Sequence, residues 1–351
     1  MYEIPAPMLA KAVPAIPDPA AVPGGLSYEP KWDGFRALVS SDGTGPDGVV
    51  IGSRGAKPLT RYFPELVAAF ARLLPEPCLI DGEIIVALPQ PGGAERLSWE
   101  ALSQRIHPAA SRVALLSADT PARFVAFDLL ARGDRDLRDE PFSVRRAELE
   151  DLLRSVPTPL HLTRTTTDPA LAREWLARFE GAGLDGVVAK PLAQPYSPGK
   201  RTMLKIKHAR TADVLALGYR VHKSGAGVGS LLVGLYDEAG ELHQVGGVSA
   251  FSDVRRRELV DELAPLVETD ADGRTLHGDG ERSRFAAAGK DTSFVRLRPE
   301  RVLEVRYDQL EGSRFRHTVQ FARWRADREP RSCTYDQLET VTAYDLADVL
   351  A

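Results

Sequence analysis

Eight residues constrain this chain more than any other stretch: Glu29-Pro30-Lys31-Trp32-Asp33-Gly34-Phe35-Arg36. The glycine three places after the lysine lets the backbone turn or approach a ligand closely. The arginine two places further on offers a planar fork suited to phosphate or ribose oxygens. The lysine itself is a candidate nucleophile, because an unprotonated amine attacks phosphorus. An ordinary lysine, with a pKa of about 10.4, is neutral only about once in 10³ molecules at pH 7. Neighbouring cations and desolvation would have to lower that value. By itself the run reads equally well as a charged turn. The decision rests on whether the rest of the chain supplies the other parts of a site.

Strand-like pieces follow at roughly 35–40, 48–52, 78–87, 123–130, 186–190 and 203–207. Helical stretches lie between them at 64–74, 145–153 and 171–179; the first has one apolar face formed by Leu66, Val67, Phe70, Leu73 and Leu74. Strands interspersed with helices predict an α+β domain. Beyond His208-Ala209-Arg210-Thr211 the pattern changes to strands at 214–219, 230–236, 242–248 and 302–307, with a helix at 255–267. Short strands, Gly-rich turns and one helix predict a small OB-type β-barrel. The expected organisation is an extended arm over 1–27, a first domain over 28–208 and an OB-fold domain over 209–351.

Alternation along strands gives these pieces a chemistry. Side chains at i and i+2 share a face, so Asp81 points with Glu83 and Lys205 with Lys207, while Phe127 faces away from Asp128. If these strands flank one cleft, acids, cations and an aromatic ring converge there. Singly, each has a bland alternative: Phe127 as core, the acids as a solvated face, the lysines as a guarded sheet edge.

Taken in order, the segments resemble the covalent nucleotidyltransferase superfamily of ATP-dependent DNA ligases, RNA ligases and capping enzymes. The matching motifs are Lys31-Trp32-Asp33-Gly34-Phe35-Arg36, Ser53-Arg54-Gly55, Ile80-Asp81-Gly82-Glu83-Ile84 and Val125-Ala126-Phe127-Asp128. Leu184-Asp185-Gly186-Val187-Val188-Ala189-Lys190, Leu204-Lys205-Ile206-Lys207 and Phe321-Ala322-Arg323-Trp324-Arg325-Ala326-Asp327-Arg328 complete the series. Met8-Leu9-Ala10-Lys11, Arg61-Tyr62-Phe63-Pro64-Glu65-Leu66 and Gln104-Arg105-Ile106-His107-Pro108 make the resemblance greatest to the small bacterial repair ligases of the ligase C type.

The resemblance implies roles. Lys31 is the adenylated nucleophile; Glu29 reads adenine and Phe127 stacks on it; Arg36 and Arg54 contact ribose and the nick phosphate. Glu83 meets ribose or a metal, Asp185 the metal, and Lys205 and Lys207 hold the α-phosphate and help depress the Lys31 pKa. Asp327 and Arg328 orient the departing pyrophosphate, and Asp81, Lys190 and Arg105 support the site. Two positions depart from the family pattern. Asp185 stands where glutamate is usual, about 1.5 Å shorter, and Arg328 stands where lysine is usual, a fork in place of a point charge.

The implied cofactors are ATP and Mg²⁺ or Mn²⁺, and the implied substrate is nicked duplex DNA, with repair proteins as possible partners and a monomer expected. NAD is disfavoured, because Lys31 stands close to the start and two cysteines, Cys78 and Cys333, cannot build a zinc cluster. Those two cysteines suggest a reducing cytoplasmic setting, and no secretory leader or membrane-spanning run is expected. Composition is that of a globular protein, 43% hydrophobic and 27% charged. The net charge of −4 is not a global basic footprint, but the arginines from Arg314 to Arg331 form a local one. The rivals are an RNA ligase or capping enzyme, separable by joining nicked DNA against nicked RNA, and a non-catalytic nucleic-acid-binding barrel, separable by labelling with ATP.

Overall fold

The computed structural model describes residues 2–279, 292–339 and 341–350. Two compact units emerge, one made of Met1–Lys207 with Val341–Ala351 and the other of His208–Thr340. The expected second domain therefore gives its last residues to the first unit. There Leu346 and Val349 are fully buried. Among the described residues no helix is long and apolar enough to cross a membrane.

The first unit contains two sheets. One orders Leu9–Ala12, Arg201–Ile206, Val187–Pro191 and Leu26–Pro30 side by side. The other orders Leu160–Leu162, Arg123–Arg132, Cys78–Ile85, Phe35–Ser41 and Val49–Ser53. The N-terminal arm is thus partly a strand. Leu9–Ala12 runs parallel to Arg201–Ile206, with Ala12 opposite Lys205. Its sequence neighbours hide this, because the partner lies almost two hundred positions away.

Helix Pro64–Leu73 buries Leu66, Ala69 and Phe70 against the second sheet, where the Phe70 ring meets Phe124 edge-on at 5.1 Å. Burying a Leu or Phe side chain contributes about 1.5–3 kcal/mol, so Leu66 and Phe70 fix the helix. Helix Pro169–Arg178 starts where Asp168 accepts from the Ala170 N–H, with proline in its first turn, a strong start signal.

In the second unit Arg210–Val221, Val228–Tyr236 and Leu242–Val248 form an antiparallel meander. Val302–Tyr307 adds to the other side of Arg210–Val221, and Gln320–Trp324 adds to Val302–Tyr307. The expected barrel does not close by a ladder among the described residues. Its two ends meet at one isolated bridge, Val248 to Val319, where the Val319 N–H donates to Gly247 O at 3.0 Å. Val214, Leu215, Val233, Leu259, Leu303 and Val305 fill its interior.

Candidate active site

Lys31 follows the strand Leu26–Pro30, and its backbone is pinned on both sides. Its N–H donates to Gly186 O at 2.8 Å, and its carbonyl accepts from the Asp185 N–H at 2.9 Å. Trp32 is buried, its indole N–H donating to Thr163 Oγ1 at 2.8 Å. Gly34 is required by close approach: a Cβ there would lie 2.1 Å from Ile84 O. That packs the loop against the strand Cys78–Ile85, and the Gly34 N–H donates to Glu83 Oε1 at 3.1 Å.

The side chains then converge. Lys31 Nζ lies 2.5 Å from Asp185 Oδ2, and Lys207 Nζ lies 2.9 Å from the same oxygen. Asp185 is 4% exposed, and its other oxygen, Oδ1, is buried and accepts no hydrogen bond from the described residues. Lys205 has its pKa lowered, first by burial and then by Lys31, Lys207 and Arg54, with Asp185 opposing. Those four cations therefore share one electrostatic neighbourhood. Arg54 itself is exposed, on the turn after Val49–Ser53. Lys207 lies just beyond its strand, which ends at Ile206, so it is not held by the strand alternation that places Lys205.

Glu29 and Lys205 come together by register, since both pair with Val188 across adjacent strands. Glu29 is 4% exposed; Lys190 Nζ lies 2.9 Å from its Oε1, while its Oε2 is buried without a partner among the described residues. Burial raises the Glu29 pKa, against the pull of Lys190 and Arg146. Lys190 also donates to Phe127 O at 2.9 Å and sits 4.6 Å from the Phe127 ring centroid. A bulge places that ring: Asp81 pairs with Asp128 and Gly82 with Ala126, leaving Phe127 as the extra residue. Such bulges re-aim a side chain.

Arg36 is engaged more firmly than its motif suggests. Its Nε and Nη2 donate to the two Asp81 oxygens at 2.9 and 2.6 Å, its Nη1 donates to Met8 O at 2.6 Å, and its Cζ lies 5.3 Å from the Phe127 centroid. Asp81 also accepts from the Tyr196 hydroxyl at 2.7 Å. Glu83, on the same strand, has its pKa raised to about 7, first by burial and further by Asp81, against Lys31, Arg36 and the Gly34 N–H.

Sequence reasoning missed Tyr196, Arg145 and the work of Asp128. Asp128 faces Asp81 across the ladder, and like charges placed opposite are destabilising. Arg145 resolves this by donating Nε and Nη2 to the two Asp128 oxygens at 2.8 and 3.0 Å. No short-range signal links an arginine on one helix to an acid on a remote strand. Arg105 is a correction in the other direction. It is fully buried, bonded to both Glu65 oxygens at 2.7 and 3.0 Å and to the Tyr62 and Thr120 carbonyls, so it braces the helix Pro64–Leu73 and does not join the Lys31 cluster.

Asp327 and Arg328 belong to the second unit. Arg325 holds Asp327 at 2.8 Å and lowers its pKa to about 2, and Arg328 Nε lies 3.2 Å from Asp213 Oδ2.

A divalent cation fits the donor set in the first unit. Asp185 Oδ1 is a bare, buried, hard oxygen, and Glu83, whose carboxyl feels the charge of the same Lys31, offers a second carboxylate. The lysine cluster suits phosphate oxygens, and the buried Glu29 Oε2 suits an N–H donor.

Residues 7–207 match the family described as ATP dependent DNA ligase domain, and residues 224–328 match ATP dependent DNA ligase C terminal region. DNA ligase C1 of Mycolicibacterium smegmatis is 55% identical over 349 residues, spanning 98% of this chain and 96% of that protein. DNA ligase C of Mycobacterium tuberculosis is 54% identical over 359 residues, with the same coverage of 98% and 96%. A solved structure titled as an analysis of Lig E DNA ligases shares the fold, at a TM-score of 0.55 and 19% identity, covering 92% of this chain and 100% of that one. The chain belongs to the ATP-dependent DNA ligases, and within them to the bacterial ligase C type.

Proposed function

We propose that this chain seals nicks in duplex DNA at the expense of ATP, with Lys31 carrying AMP between two displacements at phosphorus. Lys31 Nζ attacks the α-phosphate and pyrophosphate leaves. The AMP passes to the 5′-phosphate of the nick, and the 3′-hydroxyl then attacks that phosphorus and expels AMP. Each displacement demands in-line geometry and charge stabilisation more than covalent invention.

The observation that carries this reading is Asp185 between two lysines with one oxygen bare. Oδ2, 2.5 Å from Lys31 Nζ, is the nearest acceptor for the proton that the amine must lose. Oδ1, with Glu83, would hold Mg²⁺ or Mn²⁺, which supplies charge neutralisation at the phosphates. Lys205 and Lys207 steady the α-phosphate, Glu29 Oε2 takes the adenine amino group, and the Phe127 ring supports the base. Arg36, fixed by Asp81, presents a positive face toward ribose, and the exposed Arg54 meets the nick phosphate. Asp327 and Arg328 act on the pyrophosphate of the first step. The enzyme works as a monomer in a reducing, cytoplasmic setting, which fits two buried free cysteines, and DNA repair is the process it serves.

Intact mass after incubation with ATP and Mg²⁺ should show one added AMP, which a nicked DNA duplex then discharges. NAD should give no adduct. An adduct that nicked RNA discharges and nicked DNA does not would overturn the substrate.

A further inference from the structure

After the second unit the chain returns to the first, where residues 341–350 pack on the short turn Phe179–Ala182 and the strand Glu95–Leu97. Leu346 and Val349 are 0% and 1% exposed, in the same apolar cluster as Trp32, Phe179, Leu184 and Val187. Asp345 Oδ1 accepts from the Glu95 N–H at 3.1 Å, and Arg164 donates to Asp348 O at 2.5 Å. The Tyr344 ring lies 5.3 Å from the Phe179 centroid, and the Arg178 guanidinium lies 5.0 Å from the Tyr344 centroid. Contact with the turn Phe179–Ala182 is close enough to exclude a methyl group. A Cβ on Gly181 would lie 2.1 Å from Thr342 O and 2.6 Å from the Tyr344 nitrogen.

That turn runs straight into the site. The Gly183 N–H donates to Glu180 O at 2.8 Å, the Leu184 N–H to Phe179 O at 3.2 Å, and the Asp185 N–H to Lys31 O at 2.9 Å. Leu184 is fully buried in the cluster that holds Leu346. Three consecutive backbone N–H groups, those of Gly183, Leu184 and Asp185, are thus held by hydrogen bonds between the turn against which residues 341–350 pack and the Asp185 backbone.

We propose that residues 341–350 form a positioning strap for Asp185. The inference rests on the roles given above to Lys31 and Asp185. The strap touches no reacting atom; it fixes the turn from which Asp185 emerges. The Asp185 contacts with Lys31 and Lys207, at 2.5 and 2.9 Å, tolerate little displacement, and a misplacement of about 1 Å can cost about 10²-fold in rate.

The test is a double-mutant cycle on the full chain, read as the single-turnover rate of self-adenylation with labelled ATP and Mg²⁺. Deletion of 341–351 and, separately, Gly181→Ala are each made with and without Asp185→Asn. Thermal unfolding is recorded alongside, and Gly181→Ala carries the comparison if the deletion fails to fold. Acting through Asp185, each change should slow labelling by about 10–100-fold in the parent and by under about twofold once Asp185 is already asparagine, the non-additivity of a shared path. Parental rates for both variants, or equal losses in both backgrounds, would overturn the strap. Asp185→Asn labelling like the parent would instead bring down the role of Asp185 itself.

Discussion

Asp185 and Asp128 are both buried acids beside cations, and the contrast between them separates site from scaffold. Asp128 has both oxygens occupied: Oδ1 takes Arg145 Nε and the Leu129 N–H, and Oδ2 takes Arg145 Nη2. Glu65 repeats the pattern, with Arg105 on both oxygens and the Ala122 N–H on one. Around Asp185 two lysines crowd a single oxygen and leave the other bare. Burial is the same in kind. What differs is whether neutralisation is complete, and an incomplete one in a desolvated place is a place for a ligand.

Breaking the open side should abolish chemistry and spare the fold. We expect Lys31→Ala to give no AMP adduct by intact mass while its unfolding midpoint stays near the parent's; an adduct on that variant would remove Lys31 as nucleophile. Asp185→Asn keeps the shape and removes the charge, and should lower self-adenylation by about 10²–10³-fold, the scale of losing one preorganised electrostatic group. Asp185→Glu should be tolerated, with at most an altered preference between Mg²⁺ and Mn²⁺.

Breaking the closed side should do the reverse. Arg145→Ala strands Asp128 opposite Asp81, and should cost about 3–5 kcal/mol of stability, read by urea unfolding, with the surviving folded fraction still able to label. A variant that unfolds like the parent but cannot label would move Arg145 into the site.

Asp213 in the second unit is an intermediate case, with Arg325 within 3.1 Å and Arg328 within 3.2 Å of Oδ2. Arg328→Ala removes the charged group proposed to meet the pyrophosphate, a contact worth about 1.5–3 kcal/mol or about 10–100-fold, and that loss should fall on self-adenylation. Given a nick already carrying 5′-linked AMP, the variant should seal at nearly the normal rate. Equal defects in both assays would reassign Arg328 to folding or DNA contact.

The smallest effect concerns pH. Burial holds the Glu83 carboxyl at about 7 against an ordinary 4.5, so the folded chain binds more protons than the unfolded chain between those values. Stability should therefore fall as pH rises through that window. Glu83→Gln should flatten the decline in unfolding midpoint between pH 5 and 8 without divalent cation; an unchanged slope would show that Glu83 is not the group responsible.

Much of this contrast was legible in the chain, and some was not. Lys205 stood out because alternation along its strand fixes its face, whereas Lys31, Asp185 and Glu29 stood out through motifs that resemble those of the ligase family. Arg105 was misplaced because a fully buried arginine and a ligand-facing one have the same sequence signature. Tyr196 and Arg145 gave no signal at all, since each finds its acid only through long-range packing.

By itself the sequence determined the element types over most of the first unit and a set of candidate residues for the chemistry, because periodicity, turn glycines and short motifs are read from neighbours along the chain. Tertiary structure alone decided which oxygen of Asp185 is shared and which is bare, and that Leu9–Ala12 pairs beside the Lys205 strand. It also decided that, among the described residues, the barrel ends meet at one bridge, and that residues 341–350 return to the first unit. These depend on contacts between residues far apart in the chain, where the free energy lies in burial and complete hydrogen bonding and no local pattern records it.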